Sequence, residues 1–245
     1  MAPVAVRFID RAIRKVFFKV IRKVFFRSKL RGRRHLAAGE PVIMVANHAG
    51  SLGPVSVITT VPVKTYPWVT HEVTDLQTVA RRIQAYFLEQ ELHLRPPVSE
   101  FLGRAIGRIC VGLMKDIGAI PVYPKSRKMT STFQLSLRLL GEGKNILVFA
   151  EDSRRPLNEA ICEFGTGFIH LAKLYYRKTR KAIRFIPVAV NKKGRGILVG
   201  APIRFDPTNP FPLERDRLKR ELESSVSMLY RELEGLGLEA AAGLR

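Results

Sequence analysis

Two short apolar runs, each cut off by polar residues, constrain this chain more than any other feature. Pro41-Val42-Ile43-Met44-Val45-Ala46 stops at Asn47-His48 and the glycine-rich stretch Ala49-Gly50-Ser51-Leu52-Gly53-Pro54. Ile146-Leu147-Val148-Phe149-Ala150 stops at Glu151-Asp152-Ser153-Arg154-Arg155. Five consecutive apolar residues between turn formers read as a buried strand. Open α/β sheets carry their chemistry at the carboxyl ends of such strands. Two runs that each deliver polar groups at that end predict one shared site.

The rest of the chain alternates. A short helix follows the glycine-rich stretch, and Tyr66-Pro67-Trp68-Val69 reads as a strand. Asp75 to Glu91 and Val98 to Met114 read as helices separated by Arg95-Pro96-Pro97, and Ile120 to Tyr123 as a short strand. Thr130 caps a helix that ends at Gly141, a residue suited to a left-handed C-cap. Gly165 to Tyr176 is predicted to be helical. Arg184 to Val190 and Ile197 to Phe205 are predicted as strands around the turn Asn191-Lys192-Lys193-Gly194. Leu213 to Leu233 reads as a final helix with Leu218, Leu222, Val226, Leu229 and Leu233 turned inward. This alternation predicts an α/β fold: a mixed, mostly parallel sheet covered by helices, preceded by a basic amphipathic helix. No linker divides residues 35–245, which read as one domain after a segment and connector over 1–34.

That first segment carries much of the charge. The 245 residues have a net charge of +21, and residues 1–34 hold twelve Lys/Arg against Asp10 alone. Ile13-Arg14-Lys15-Val16-Phe17-Phe18 recurs as Ile21-Arg22-Lys23-Val24-Phe25-Phe26. As a helix, Ile9, Ile13, Val16, Phe17, Val20, Ile21 and Val24 share one face. Arg7, Arg11, Arg14, Lys15, Lys19, Arg22 and Lys23 share the other. This is the profile of a segment lying in an anionic membrane interface. A core-packed helix with a solvated face is the competing reading, but such a helix would mix both signs of charge. Nucleic acid is suggested by the charge alone and does not require the regular apolar face, so it is not an expected partner.

No run reaches the ~18 to 20 apolar residues of a membrane span. Charges every three or four residues also interrupt any signal peptide. The expected location is therefore the cytoplasmic face of a membrane, as a peripheral or monotopic protein. Cys110 and Cys162 have no disulfide or zinc spacing and read as small core residues. His35, His71, His93 and His170 lack metal spacing, and Ser51 and Ser153 lack the Gly-x-Ser-x-Gly elbow. Neither a metal nor a resident cofactor is expected.

Four segments together carry a family resemblance: Asn47-His48, Gly118-Ala119-Ile120-Pro121-Val122-Tyr123, Phe149-Ala150-Glu151-Asp152-Ser153-Arg154 and Phe185-Ile186-Pro187-Val188. In order and spacing they resemble the motifs of the glycerolipid (lysophospholipid) acyltransferases across residues 36–205. The chain departs from the pattern at three places. Gly53 stands where the family has an aspartate, Pro124 where it has an arginine, and Asp152 where it has a glycine. The resemblance implies transfer of a fatty acyl group from acyl-CoA or acyl carrier protein to a lysophospholipid acceptor of the 1-acylglycerol-3-phosphate type. It also implies that Asn47, Glu151, Ser153 and Arg154 serve substrate binding. Arg155, Lys125 and Arg127 are placed to add positive charge that partly replaces the arginine missing from the second motif.

Acyl transfer to a hydroxyl needs a base, donors for the oxyanion and a grip on the acceptor. His48 is the natural base, because histidine ordinarily titrates near neutrality. Arginine suits a phosphate because its planar fork donates two parallel hydrogen bonds, which fits Arg154 to the acceptor head. With no acid at 53, Asp152 is a candidate partner for the His48 ring, and the neighbouring carboxylates Glu72 and Asp75 are alternatives. If Asp152 is the partner, Asp152→Asn is crippling and Gly53→Asp partly rescues it. Two duller readings stand beside these: Glu151 and Arg154 as a structural ion pair, and the whole chain as a catalytically silent lipid-binding relative.

Overall fold

The computed structural model describes residues 29–36, 39–49, 53–90, 92–124, 126–151, 163–191 and 196–242. The expected amphipathic helix before residue 29, Cys162 and the turn at 192–195 lie outside them. Among the described residues the strands are β1 (Lys29–Arg31), β2 (Val42–Ala46), β3 (Thr65–Thr70), β4 (Ile120–Val122), β5 (Asn145–Phe149), β6 (Arg184–Asn191), β7 (Gly196–Val199) and β8 (Ile203–Arg204). The α-helices are α1 (Gly53–Thr60), α2 (Leu76–Arg82), α3 (Val98–Ile117), α4 (Met129–Gly141), α5 (His170–Thr179) and α6 (Phe211–Ala242). They divide into two compact units, one over 67–132 and one formed by 29–66 with 133–242.

The larger unit is organised by β2. An unbroken apolar run suits a strand covered on both faces, and all five residues of β2 are buried. It lies between two parallel neighbours, pairing Ile43 with Ile146 of β5 and with Phe185 of β6. Beyond β6 the sheet turns antiparallel, with Asn191 opposite Gly196 of β7. The edge strand β1 then runs parallel to β7. The sheet of this unit is thus mixed and mostly parallel.

One core joins Val42, Met44 and Ala46 to Val57, Leu147, Ile186, Val188, Ile197 and Val199. Helix α6 packs along β6 and β7. Its Leu218, Leu222 and Val226 are fully buried and Leu233 nearly so. At about 1.5–3 kcal/mol for each such side chain, this stripe is a main attachment of the helix to the sheet.

Three local readings are corrected by packing. The stretch read as one strand from Ile197 to Phe205 is two, because Pro202 has no N–H to continue a ladder and β8 turns back onto the first half of β6, Arg204 opposite Arg184. Helix α4 includes Gly141. Its left-handed residue is Gly143 (φ 74°), where the amides of Gly143 and Lys144 return to the carbonyls of Leu140 and Leu139. Part of the basic connector is strand β1.

In the smaller unit β3 and β4 pair in parallel, from Trp68 opposite Ile120 to Thr70 opposite Val122. Helices α2 and α3 approach closely because α3 offers glycines to the contact: a Cβ on Gly107 would lie 3.2 Å from Ala80 Cα. Cys110 on α3 is only partly buried, and burial pushes its thiol pKa up. Among the described residues no helix is long and apolar enough to cross a membrane.

Candidate active site

Parallel pairing of β2 with β5 decides what meets at their ends. Ala46 stands opposite Phe149, and the Ala150 amide donates to the Ala46 carbonyl at 3.1 Å, so the ladder runs one step past both strands. Asn47-His48 and Glu151 therefore leave the sheet side by side. The structure brings these three sequence-selected residues together within one unit.

Asn47 is only 1% exposed. Its side-chain Nδ2 donates to the Val190 carbonyl at 3.0 Å and its Oδ1 accepts from the Val190 amide at 2.8 Å. The side chain thus copies a backbone pair and extends the β2–β6 ladder by one rung. Read from sequence as a substrate-binding residue, Asn47 in the structure bonds to β6, and both of its amide atoms are engaged there.

On the other side, the His48 amide donates to Glu151 Oε2 at 2.8 Å. A hydrogen bond to a carboxylate is stronger than one between neutral groups. The residue bearing the imidazole is thus held between the ends of β6 and β5. The Phe149 ring meets the imidazole edge-on, with centroids 5.5 Å apart at 63°, and limits the directions the ring can take.

The backbone then turns tightly. Ala49 is buried and left-handed (φ 46°). At the start of α1 the backbone of Gly53 comes back against His48, so that a Cβ on Gly53 would sit 2.0 Å from the His48 carbonyl oxygen. No side chain fits there. This overturns the expectation that Gly53→Asp restores function: a carboxylate at 53 requires a different turn.

Glu151 also begins the segment that carries the remaining third-motif residues. It bridges Phe164, and the Gly165 amide donates to the Ala150 carbonyl at 2.8 Å. Helix α6 fixes the returning chain, with Glu223 Oε1 accepting from the Phe164 amide at 2.7 Å and Lys219 paired to Glu163. Asp152, Ser153 and Arg154 lie outside the described residues, as does Lys125. Arg127 belongs to the smaller unit, exposed in the turn ahead of α4.

Sequence reasoning missed three contributors: Val190, Phe149 as a ring neighbour, and the steric role of Gly53. Val190 had no local signal, since it is 143 residues from its partner. Phe149 had one, as the last residue of a run whose end was already marked as the site. A family sequence pattern named Acyltransferase matches residues 27–191, which include Asn47, His48 and Glu151.

The chain belongs to this acyltransferase family.

Its fold also resembles the crystal structure of the 1-acyl-sn-glycerophosphate (LPA) acyltransferase PlsC from Thermotoga maritima. The TM-score is 0.54 over 94% of this chain and 80% of that one, at 13% identity, which is a likeness of fold. No curated protein matches the chain.

Proposed function

We propose that this acyltransferase moves a fatty acyl group from a thioester, acyl-CoA or acyl carrier protein, to the hydroxyl of a lysophospholipid at a membrane surface. The observation that carries the reading is the fastening of His48 at the end of β2, with Asn47 tied to Val190 and the His48 amide tied to Glu151. A base must be held within hydrogen-bond reach of the proton it takes, and this arrangement holds one on a rigid sheet edge. The imidazole takes the proton of the acceptor hydroxyl while that oxygen attacks the thioester carbonyl carbon. The tetrahedral oxyanion collapses, the C–S bond breaks, and the departing thiolate receives the proton from the imidazolium. No acyl-enzyme is required.

The acceptor class is supported by the name of the structural neighbour and by the basic third-motif residue Arg154, which suits a phosphate head. The membrane setting is supported by the basic, apolar-faced sequence before residue 29. Thioester release by the full chain should respond to 1-acylglycerol-3-phosphate far more than to a monoacylglycerol of the same chain. Equal responses would contradict a phosphate-bearing acceptor.

A second reading is favoured by Gly53, whose position excludes the family's aspartate. On that reading the chain is a silent relative that binds lysolipid. Saturable lysolipid binding with no thioester release above buffer, from any acceptor, would select it.

A further inference from the structure

The turn after β1 builds a second polar cleft, separate from the edge that carries His48. Arg31 stands opposite Leu198 of β7, and Gly32 follows in the left-handed region (φ 73°). A Cβ on Gly32 would lie 2.0 Å from the Val199 carbonyl oxygen, so only glycine lets the chain pass this close to β7. The 3-10 turn Arg33–Leu36 starts at once, with the His35 amide returning to the Gly32 carbonyl at 3.0 Å and Leu36 buried as its anchor.

This geometry places Arg31, Arg33, Arg34 and His35 around one cleft of about 490 Å³, with Leu198 and Leu229 among its apolar lining and Glu232 as its acid. The lining thus carries three arginines and one acid. Among the described residues none of the three arginines makes an ion pair, and all three are exposed. Arg34 Nε donates to His35 Nε2 at 3.3 Å, which orients both groups. Cations that served only solubility would be dispersed. Here a glycine turn gathers them beside an apolar wall.

The sheet register locates the cleft relative to the active edge. Leu30 pairs with Ile197, Ile197 with Val190, and Val190 with the Asn47 side chain. The cleft thus begins at the level of Asn47 but three strands away, roughly 14 Å at the ordinary strand spacing. It also begins three residues after the segment 1–28, which holds eight further Lys/Arg on an apolar-faced pattern.

We propose that this cleft binds the phosphate of an anionic phospholipid headgroup, and a monoester phosphate in preference to a diester. The proposal rests on the membrane-surface reading above. A monoester presents three oxygens to several arginines at once, whereas a diester presents two, and the guanidinium fork rewards the extra oxygen.

The test is flotation of the full chain on phosphatidylcholine vesicles doped with phosphatidate or, to the same surface charge, with phosphatidylglycerol. Wild type should favour phosphatidate by about tenfold. The triple variant Arg31→Gln/Arg33→Gln/Arg34→Gln should lose that preference while keeping charge-driven flotation. A variant with the same charge change elsewhere, Lys144→Gln/Arg177→Gln/Lys178→Gln, should retain it. Single Arg33→Gln, which perturbs the fold least, should lose part of it.

Equal flotation of wild type on both vesicles, or a preference that survives the triple substitution, overturns the cleft and leaves acyl transfer untouched. Stabilisation by inorganic phosphate alone, without a vesicle preference, assigns the cleft to a soluble phosphate and overturns the lipid source. Failure of wild type to float on either vesicle removes the membrane reading, and this proposal with it.

Discussion

At position 53 a side chain is excluded by the carbonyl of His48, the residue whose imidazole an aspartate there would serve. From sequence alone, glycine at that place reads as a missing acid. In three dimensions it is the residue that lets α1 start 2.0 Å, measured from a would-be Cβ, from that oxygen. Gly53→Asp is therefore expected to lower stability by about 1–3 kcal/mol, as forced overpacking does, and to lower turnover. Urea denaturation and thioester release check the two effects, and a more active variant would contradict the account. Asn47 gives a second test. Asn47→Leu removes both partners of Val190 and leaves a buried N–H and C=O unpaired, each costing about 1–3 kcal/mol. Denaturation should show a loss on that scale; a change below measurement error would mean that water or backbone replaces the clamp.

Elements were legible where burial alone dictates them. The runs 42–46 and 145–149 show as strands because both faces are covered, and α6 shows because Leu218, Leu222, Val226 and Leu233 recur at helical spacing. What escaped was set by distant partners. Lys29–Arg31 has no apolar pattern and becomes a strand only because β7 offers an edge. The break before β8 did carry a local signal in Pro202, which has no N–H for a ladder.

The entry to α6 was equally invisible. Buried Glu214, in its first turn, accepts from the Asp206 amide, Asn209 Nδ2 and the Arg217 guanidinium. Burial works against its ionisation, but the Arg217 guanidinium and the two amides outweigh it and hold the carboxyl below its usual pKa. A carboxyl depressed in the folded state stabilises the protein above its unfolded pKa of ~4.3 and stops doing so as pH falls through the lower folded value. Glu214→Gln should cost about 2–3 kcal/mol at neutral pH, less than a wholly buried pair because Arg217 is 31% exposed. Urea titrations should also show a shallower loss of stability on acidification in the variant; parallel curves would contradict this role.

Across the whole molecule, the sequence marked which residues meet at the sheet edge more clearly than how they are held. His48 and Glu151 were readable from the ends of their strands, since parallel neighbours deliver their ends to one edge. Their connection, through the His48 amide rather than its ring, was not readable. Nor was the second gathering of cations after β1, because only Gly32 passing under Val199 brings those arginines around one cleft.

On the proposed function, the clamped His48 is the base of a thioester-to-lysolipid acyl transfer. The most direct measurement compares thioester release by wild type and His48→Ala, with 1-acylglycerol-3-phosphate as acceptor and urea denaturation as a check of folding. The variant should keep its stability while its turnover falls by about 10²- to 10⁴-fold. A folded variant with near-normal turnover would place the base elsewhere and contradict it.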